Sequence, residues 1–112
     1  MSPPMIYGYI PQPDFLLQRA KDKNLTEIAP TEAFEEVMAM EKAIYDIIKE
    51  AGLRRIARMD FVDVEGDCMI AIALGNNYGV LGVHVKVTRD GIERVKKILG
   101  TTHEPFWLRL DE

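Results

Sequence analysis

Residues 54–88, RRIARMDFVDVEGDCMIAIALGNNYGVLGVHVKVT, decide the fold, because they read as three antiparallel strands in succession with a very short connection between each pair. Arg54 to Glu65 alternates Ala57, Met59 and Phe61 against Arg58 and Asp60, then changes phase to Val62 and Val64 against Asp63 and Glu65. A β-bulge or a sharp twist between Phe61 and Val62 is the expected cause. Glu65-Gly66-Asp67 has turn chemistry, and Cys68 to Leu74 returns as a strand that is apolar on both faces, as a central strand is. Gly75-Asn76-Asn77-Tyr78-Gly79 is expected to turn the chain again, since Gly and Asn tolerate the positive φ of a tight hairpin. Val80 to Thr88 then places Leu81, Val83, Val85 and Val87 on one face and His84 and Lys86 on the other, so His84 points away from the main core.

The flanks supply what covers these strands. Met5 to Ile10 is rich in β-formers and is stopped by Pro11 and Pro13, which suits a short strand at or near a sheet edge. Asp14 is placed to cap a helix running to Lys23, with Phe15, Leu16 and Ala20 inward and Asn24 as its stop. Thr31 to Ala51 is the longest helical stretch, with Thr31 as N-cap, glutamates in the first turns and Gly52 beyond its C-terminus. Its apolar residues spread over about half the circumference, wider than the ~100° stripe of a helix covering one surface, so two partners are expected. Asp90-Gly91-Ile92-Glu93 reads as a capping box opening a helix to Leu99, and Phe106, Leu108 and Leu110 recur at period two in one more strand. The whole is a single α+β domain over residues 1–112: an antiparallel sheet of about five strands with helices packed on its faces, in the order β-α-α-β-β-β-α-β.

At 112 residues the chain has room for one core. A net charge of −4 argues against general nucleic-acid binding, which depends on clustered Lys and Arg, and no apolar run approaches the ~20 residues of a membrane helix. Met1 to Met5 lacks the basic and apolar regions of a signal peptide, so a cytoplasmic location is expected. The charge-rich, Cys-poor composition leans towards a thermophilic source. Cys68, the single cysteine, is expected to be a small buried hydrophobe.

A resemblance carries the functional expectation. Leu53-Arg54-Arg55-Ile56, Gly66-Asp67-Cys68-Met69-Ile70, Tyr78-Gly79-Val80-Leu81-Gly82-Val83 and Gly91-Ile92-Glu93-Arg94-Val95, within Thr31 to Gly100, resemble the second half of the Roadblock (dynein light chain) family. The resemblance implies a non-enzymatic domain that dimerises through its long helix and the strand after it, and that scaffolds or regulates a small GTPase or similar protein. The interface so implied uses Val37, Glu41, Ile44, Ile48, Ala57, Met59 and Phe61. Independently of it, the wide arc of the helix and an otherwise unpaired Arg54 to Glu65 edge fit a homodimer.

Three residues outside that interface are candidates for ligand or partner contact. Tyr78 and His84 are expected to form a pocket with the C-terminal tail, as a small-ligand sensor would, and Trp107 either anchors a partner or covers the sheet. Glu41, near the middle of the apolar arc, is either paired within a subunit contact or a tuned general acid or base; a small hydrolase or isomerase would use Glu41 or His84. No cofactor and no metal is expected. His84, His103 and Cys68 share no zinc spacing, and a calcium loop centred on Gly66 would put Phe61 and Ile72 where it needs carboxylates.

Overall fold

In a computed structural model, which describes residues 3–26, 29–79, 82–85 and 87–111, Glu65 (φ 53°) and Gly66 (φ 90°) turn the chain between two strands. Asp63 holds this hairpin, its Oδ1 accepting from the Gly66 amide at 3.0 Å. The elements are β1 (Met5–Tyr9), α1 (Pro13–Asp22), α2 (Ala33–Glu50), β2 (Arg58–Val64), β3 (Asp67–Gly79), β4 (Gly82–Val85), α3 (Arg89–Leu99) and β5 (Phe106–Leu110). That is the α+β order read from the sequence. The expectations for Val80, Leu81 and Lys86, and for the side chain of Val83, lie outside the described residues.

The strands form one antiparallel sheet in the order β1-β5-β2-β3-β4, and β1 also pairs with β3. Gly75 and Asn76 of β3 pair with Tyr7 and Ile6 of β1 and also with Val85 and His84 of β4, so β1 and β4 occupy opposite edges of β3. The pairings β1–β5, β5–β2, β2–β3 and β3–β1 therefore close four strands into a ring. Alternation puts Ile6, Val62, Ala71 and Ala73 inside it, with Ile10, Met69, Leu108 and Leu110 half-buried around them. The opposite face of the sheet carries Tyr9, Ile70, Ile72 and Leu74, and these pack with Leu16 and Ala20 of α1, Ile44, Ile47 and Ile48 of α2, and Ile92 and Val95 of α3. All three helices thus share one face, because the other closes on itself.

This closure revises several local expectations. β1 is paired on both sides rather than lying at an edge, and β4 is terminal in the sheet. The register of β2 on β3 runs unbroken from Arg58↔Ala73 to Val64↔Asp67, so there is no bulge at Phe61. The phase change instead marks where burial passes from one face of a regular strand to the other: Met59 packs towards the helices, while Val62 fills the ring. Shifts occur in β3, opposite Tyr7/Gly8 of β1 and between Asn76 and Gly79 against β4, where bulges curl a sheet. Asn76 and Asn77 lie within β3 and not in a turn. Asn77 instead ties down the N-terminal strand, its Oδ1 accepting from Met5 N at 2.7 Å and its Nδ2 donating to Pro3 O at 3.1 Å.

The helix ends follow local chemistry with small displacements. α1 begins at Pro13 after Gln12, so Asp14 sits in the first turn instead of capping, and Asn24 (φ 53°) ends it as expected. α2 is preceded by Glu32, and Thr31 bonds the Glu35 carboxylate. α3 is capped by Thr88, whose hydroxyl accepts from Gly91 N at 3.3 Å; Asp90 lies one residue inside, and Gly100 (φ 69°) terminates the helix.

A basic cleft and an exposed helix stripe

Two surfaces collect the candidate residues. The first is on α2. Its inner side buries Ala39, Ala43, Ile44, Ile47 and Ile48 against the sheet. At 100° per residue, Phe34, Met38, Glu41 and Tyr45 fall within about 60° of one another on a neighbouring stripe. Phe34, Met38 and Tyr45 are 62%, 52% and 47% exposed. Glu41 is half-buried and lines a hollow of about 540 Å³ with Leu25, Lys42, Tyr45, Asp46, Lys49 and Arg54. Beside the stripe, Val37 and Met40 share a shallow apolar hollow with Phe61, Pro11 and Pro13.

Of the seven residues assigned to an interface, Phe61 is exposed and Val37, Glu41 and Met59 are half-buried. Ile44, Ile48 and Ala57 are covered by the chain's own core and present no surface: Ile44 and Ile48 lie on the half of the α2 arc that faces the sheet, and Ala57 is buried at the turn before β2. The residues available in their place are Phe34, Met38 and Tyr45. The outer edge of β2 is also shorter than expected. Arg54, Arg55 and Ile56 form a turn closed by Ile56 and Ala57 N–H groups on the Leu53 carbonyl, at 3.0 and 2.9 Å. Val62 and Asp63 then pair with Leu110 and Arg109 of β5, and Asp111 N donates to Phe61 O at 3.0 Å.

The second surface is a cleft of about 270 Å³ where that turn meets the ends of β3 and β4. Among the described residues it is lined by Arg54, Arg55, Arg58, Asn76, Tyr78 and His84, over a floor that includes Ala73, Leu74 and Gly75. Gly75 is what lets the strands converge here, since a Cβ would lie 2.7 Å from the His84 carbonyl oxygen. Tyr78 and His84 line one cleft, whose other wall is the Arg54–Arg58 turn and not the C-terminal tail. Trp107 does not line it and packs against Tyr7, ring centroids 5.1 Å apart and planes tilted by 43°. Arg58 donates from Nε to Asp60 Oδ2 at 2.9 Å and from Nη2 to the Tyr78 hydroxyl. Partial burial disfavours the Arg58 charge, but Asp60 outweighs it and raises the guanidinium pKa. Glu41 and His84 line different hollows, which among the described residues share only Arg54.

Elsewhere, Arg19 of α1 and Lys23 at its C-cap bind Asp46 and Glu50 of α2; Arg19 Nε meets Asp46 Oδ2 at 2.9 Å and Nη2 meets Glu50 Oε1 at 3.1 Å. Burial acts to raise the Asp46 pKa, yet the hydrogen bonds from Lys23 and Arg19 prevail and lower it. Arg89 and Lys96 of α3 both pair with Glu104, and hydrogen bonds from these cations pull its carboxyl down to about 2. Cys68 is exposed, contrary to expectation, because it lies one residue from the β2–β3 turn; Asp111, and to a lesser extent burial, raises its thiol pKa. No group of three His, Cys, Asp or Glu side chains converges among the described residues, and no helix among them is long and apolar enough to cross a membrane.

Compared with protein-family models, curated proteins and solved structures, the chain matches none.

Proposed function

We propose that this protein is a non-enzymatic interaction module that forms a homodimer through the exposed stripe of α2. The observation that carries this is Phe34, Met38 and Tyr45 standing 62%, 52% and 47% exposed on a helix whose adjacent side is already in the core. Three large apolar side chains in one line are a poor surface for water, and burying the half of each that is exposed is worth roughly 1 kcal/mol. A two-fold axis across the stripe lets the same residues serve both protomers. Lys42 and Lys49 border the hollow that holds Glu41 and supply counter-charge when water is excluded from it. Phe61, beside Val37 and Met40, extends the apolar area towards β2. The protein partner implied by the Roadblock resemblance, a small GTPase or similar folded protein, then docks on the assembled dimer, which acts as a scaffold.

Sedimentation velocity tests the assembly. The parent chain is expected to sediment as a dimer at micromolar concentration and a Met38→Glu, Tyr45→Glu variant as a folded monomer. A parent chain that stays monomeric under those conditions refutes the proposal.

A further inference from the structure

We propose that the Arg54–Arg55–Arg58–His84 cleft is a binding site for a small phosphate monoester, such as a phosphorylated sugar. Three arginines and a histidine line a hollow of about 270 Å³ in a chain whose net charge is −4, and among the described residues no Asp or Glu lines it. Such a concentration of one sign is opposite to the charge of the molecule as a whole, and it focuses an attractive potential for anions in the cleft.

The individual groups divide the work. Arg58 is already committed to Asp60 and Tyr78, which fixes it as a wall. Arg54 and Arg55 make no ion pair among the described residues, so two planar forks are available, each able to bind two oxygens of one phosphate. Asn76 Oδ1 accepts from the Tyr78 and Gly79 amides at 3.2 and 3.1 Å, leaving its side-chain nitrogen as a donor to the cleft. A dianion with three terminal oxygens satisfies two free guanidiniums, whereas a single carboxylate leaves one positive charge uncompensated. The volume lies just below the ~300 Å³ at which pockets for drug-sized ligands begin, which favours a compact body over a dinucleotide. Ala73 and Leu74 give that body a small apolar floor.

Amide NMR titration with ribose 5-phosphate, inorganic phosphate and ribose tests the site. Ribose 5-phosphate is expected to give saturable shifts centred on Ala57, Gly75, Asn76, Tyr78 and His84 at millimolar concentration or below, and ribose none. Arg54→Gln and Arg55→Gln should each weaken binding about tenfold, as loss of one charged hydrogen bond does, while Arg109→Gln on β5 leaves it unchanged. Absence of saturable shifts, equal shifts with ribose, or full binding by the Arg54→Gln, Arg55→Gln double variant overturns the assignment. Inorganic phosphate binding as tightly as the ester overturns the organic ligand. A Met38→Glu, Tyr45→Glu monomer is expected to keep the site, so failure of the dimer and failure of the cleft are distinguished.

Discussion

Replacing Gly8 by Ala is expected to be among the most damaging single-methyl changes in this chain. Gly8 lies in β1 where the strand crosses the shifted register of β3, paired with Ala73 on one side and Phe106 on the other. A Cβ at this position would lie 2.9 Å from the Ile72 carbonyl carbon and 3.3 Å from the Ala73 Cα, and it would overlap the Ile72 carbonyl oxygen. These are backbone atoms of a strand bonded on both edges, so no side chain can rotate away. Overpacking of a rigid site costs about 3 kcal/mol at the upper end of its usual range. Loosening the Gly8↔Ala73 and Tyr9↔Ile72 pairings adds about 1–2 kcal/mol. Restricting the unfolded chain returns about 0.7 kcal/mol. The net is a loss of roughly 3–4 kcal/mol, a large part of the ~5–15 kcal/mol total of a domain. Urea unfolding followed by far-UV circular dichroism measures it from the midpoint at unchanged slope. A Gly8→Ala protein within about 0.5 kcal/mol of the parent, the spread of ordinary surface changes, would refute the close approach of β1 to β3 and with it the closed ring.

Two further outcomes follow from the charged clusters and caps. Glu104 has its folded pKa pulled down to about 2 from an ordinary 4.5, so its contribution to stability is present above pH 4.5 and is lost as the pH falls from there towards 2. A Glu104→Gln variant should therefore show a shallower acid limb in stability measured across that window, and salt should shrink the difference because the pairs are exposed; an unchanged limb at low salt contradicts the Arg89–Glu104–Lys96 cluster. Thr88→Ala removes the only side-chain cap on α3 and should cost about 1 kcal/mol in urea unfolding, while Asp90→Ala costs less; the reverse ranking would restore Asp90 as the cap.

The sequence by itself determined the elements and their order. Turn and stop signals are local chemistry: Gly66 and Glu65 accept positive φ at the β2–β3 hairpin, Asn24 and Gly100 end their helices, and periods of 2 and 3.6 separate strands from helices. The cap of α3 was misplaced by two residues because Thr88 and Asp90 carry equally good side-chain oxygens, and only the turn geometry shows which one reaches an amide. Arg54, Arg55 and Arg58 are close together in the sequence, but that they enclose a cleft depends on where Asn76 and His84 come to rest.

Tertiary structure alone decided that the sheet closes, that β5 lies between β1 and β2, and that Ile44, Ile48 and Ala57 are spent on the core while Phe34, Met38 and Tyr45 stay outside. Gly8, in the midst of β-formers, was the one trace of closure within the sequence, since a glycine inside a strand marks a close backbone approach. Even so, it does not name its partner. Asn77 binds Met5 across 72 residues and Tyr9 Oη donates to the His103 carbonyl at 2.7 Å across 94. Pairings at such separations are selected by burial and hydrogen bonding summed over the whole chain, and so a stretch such as 54–88 can specify three strands without specifying which neighbours complete them.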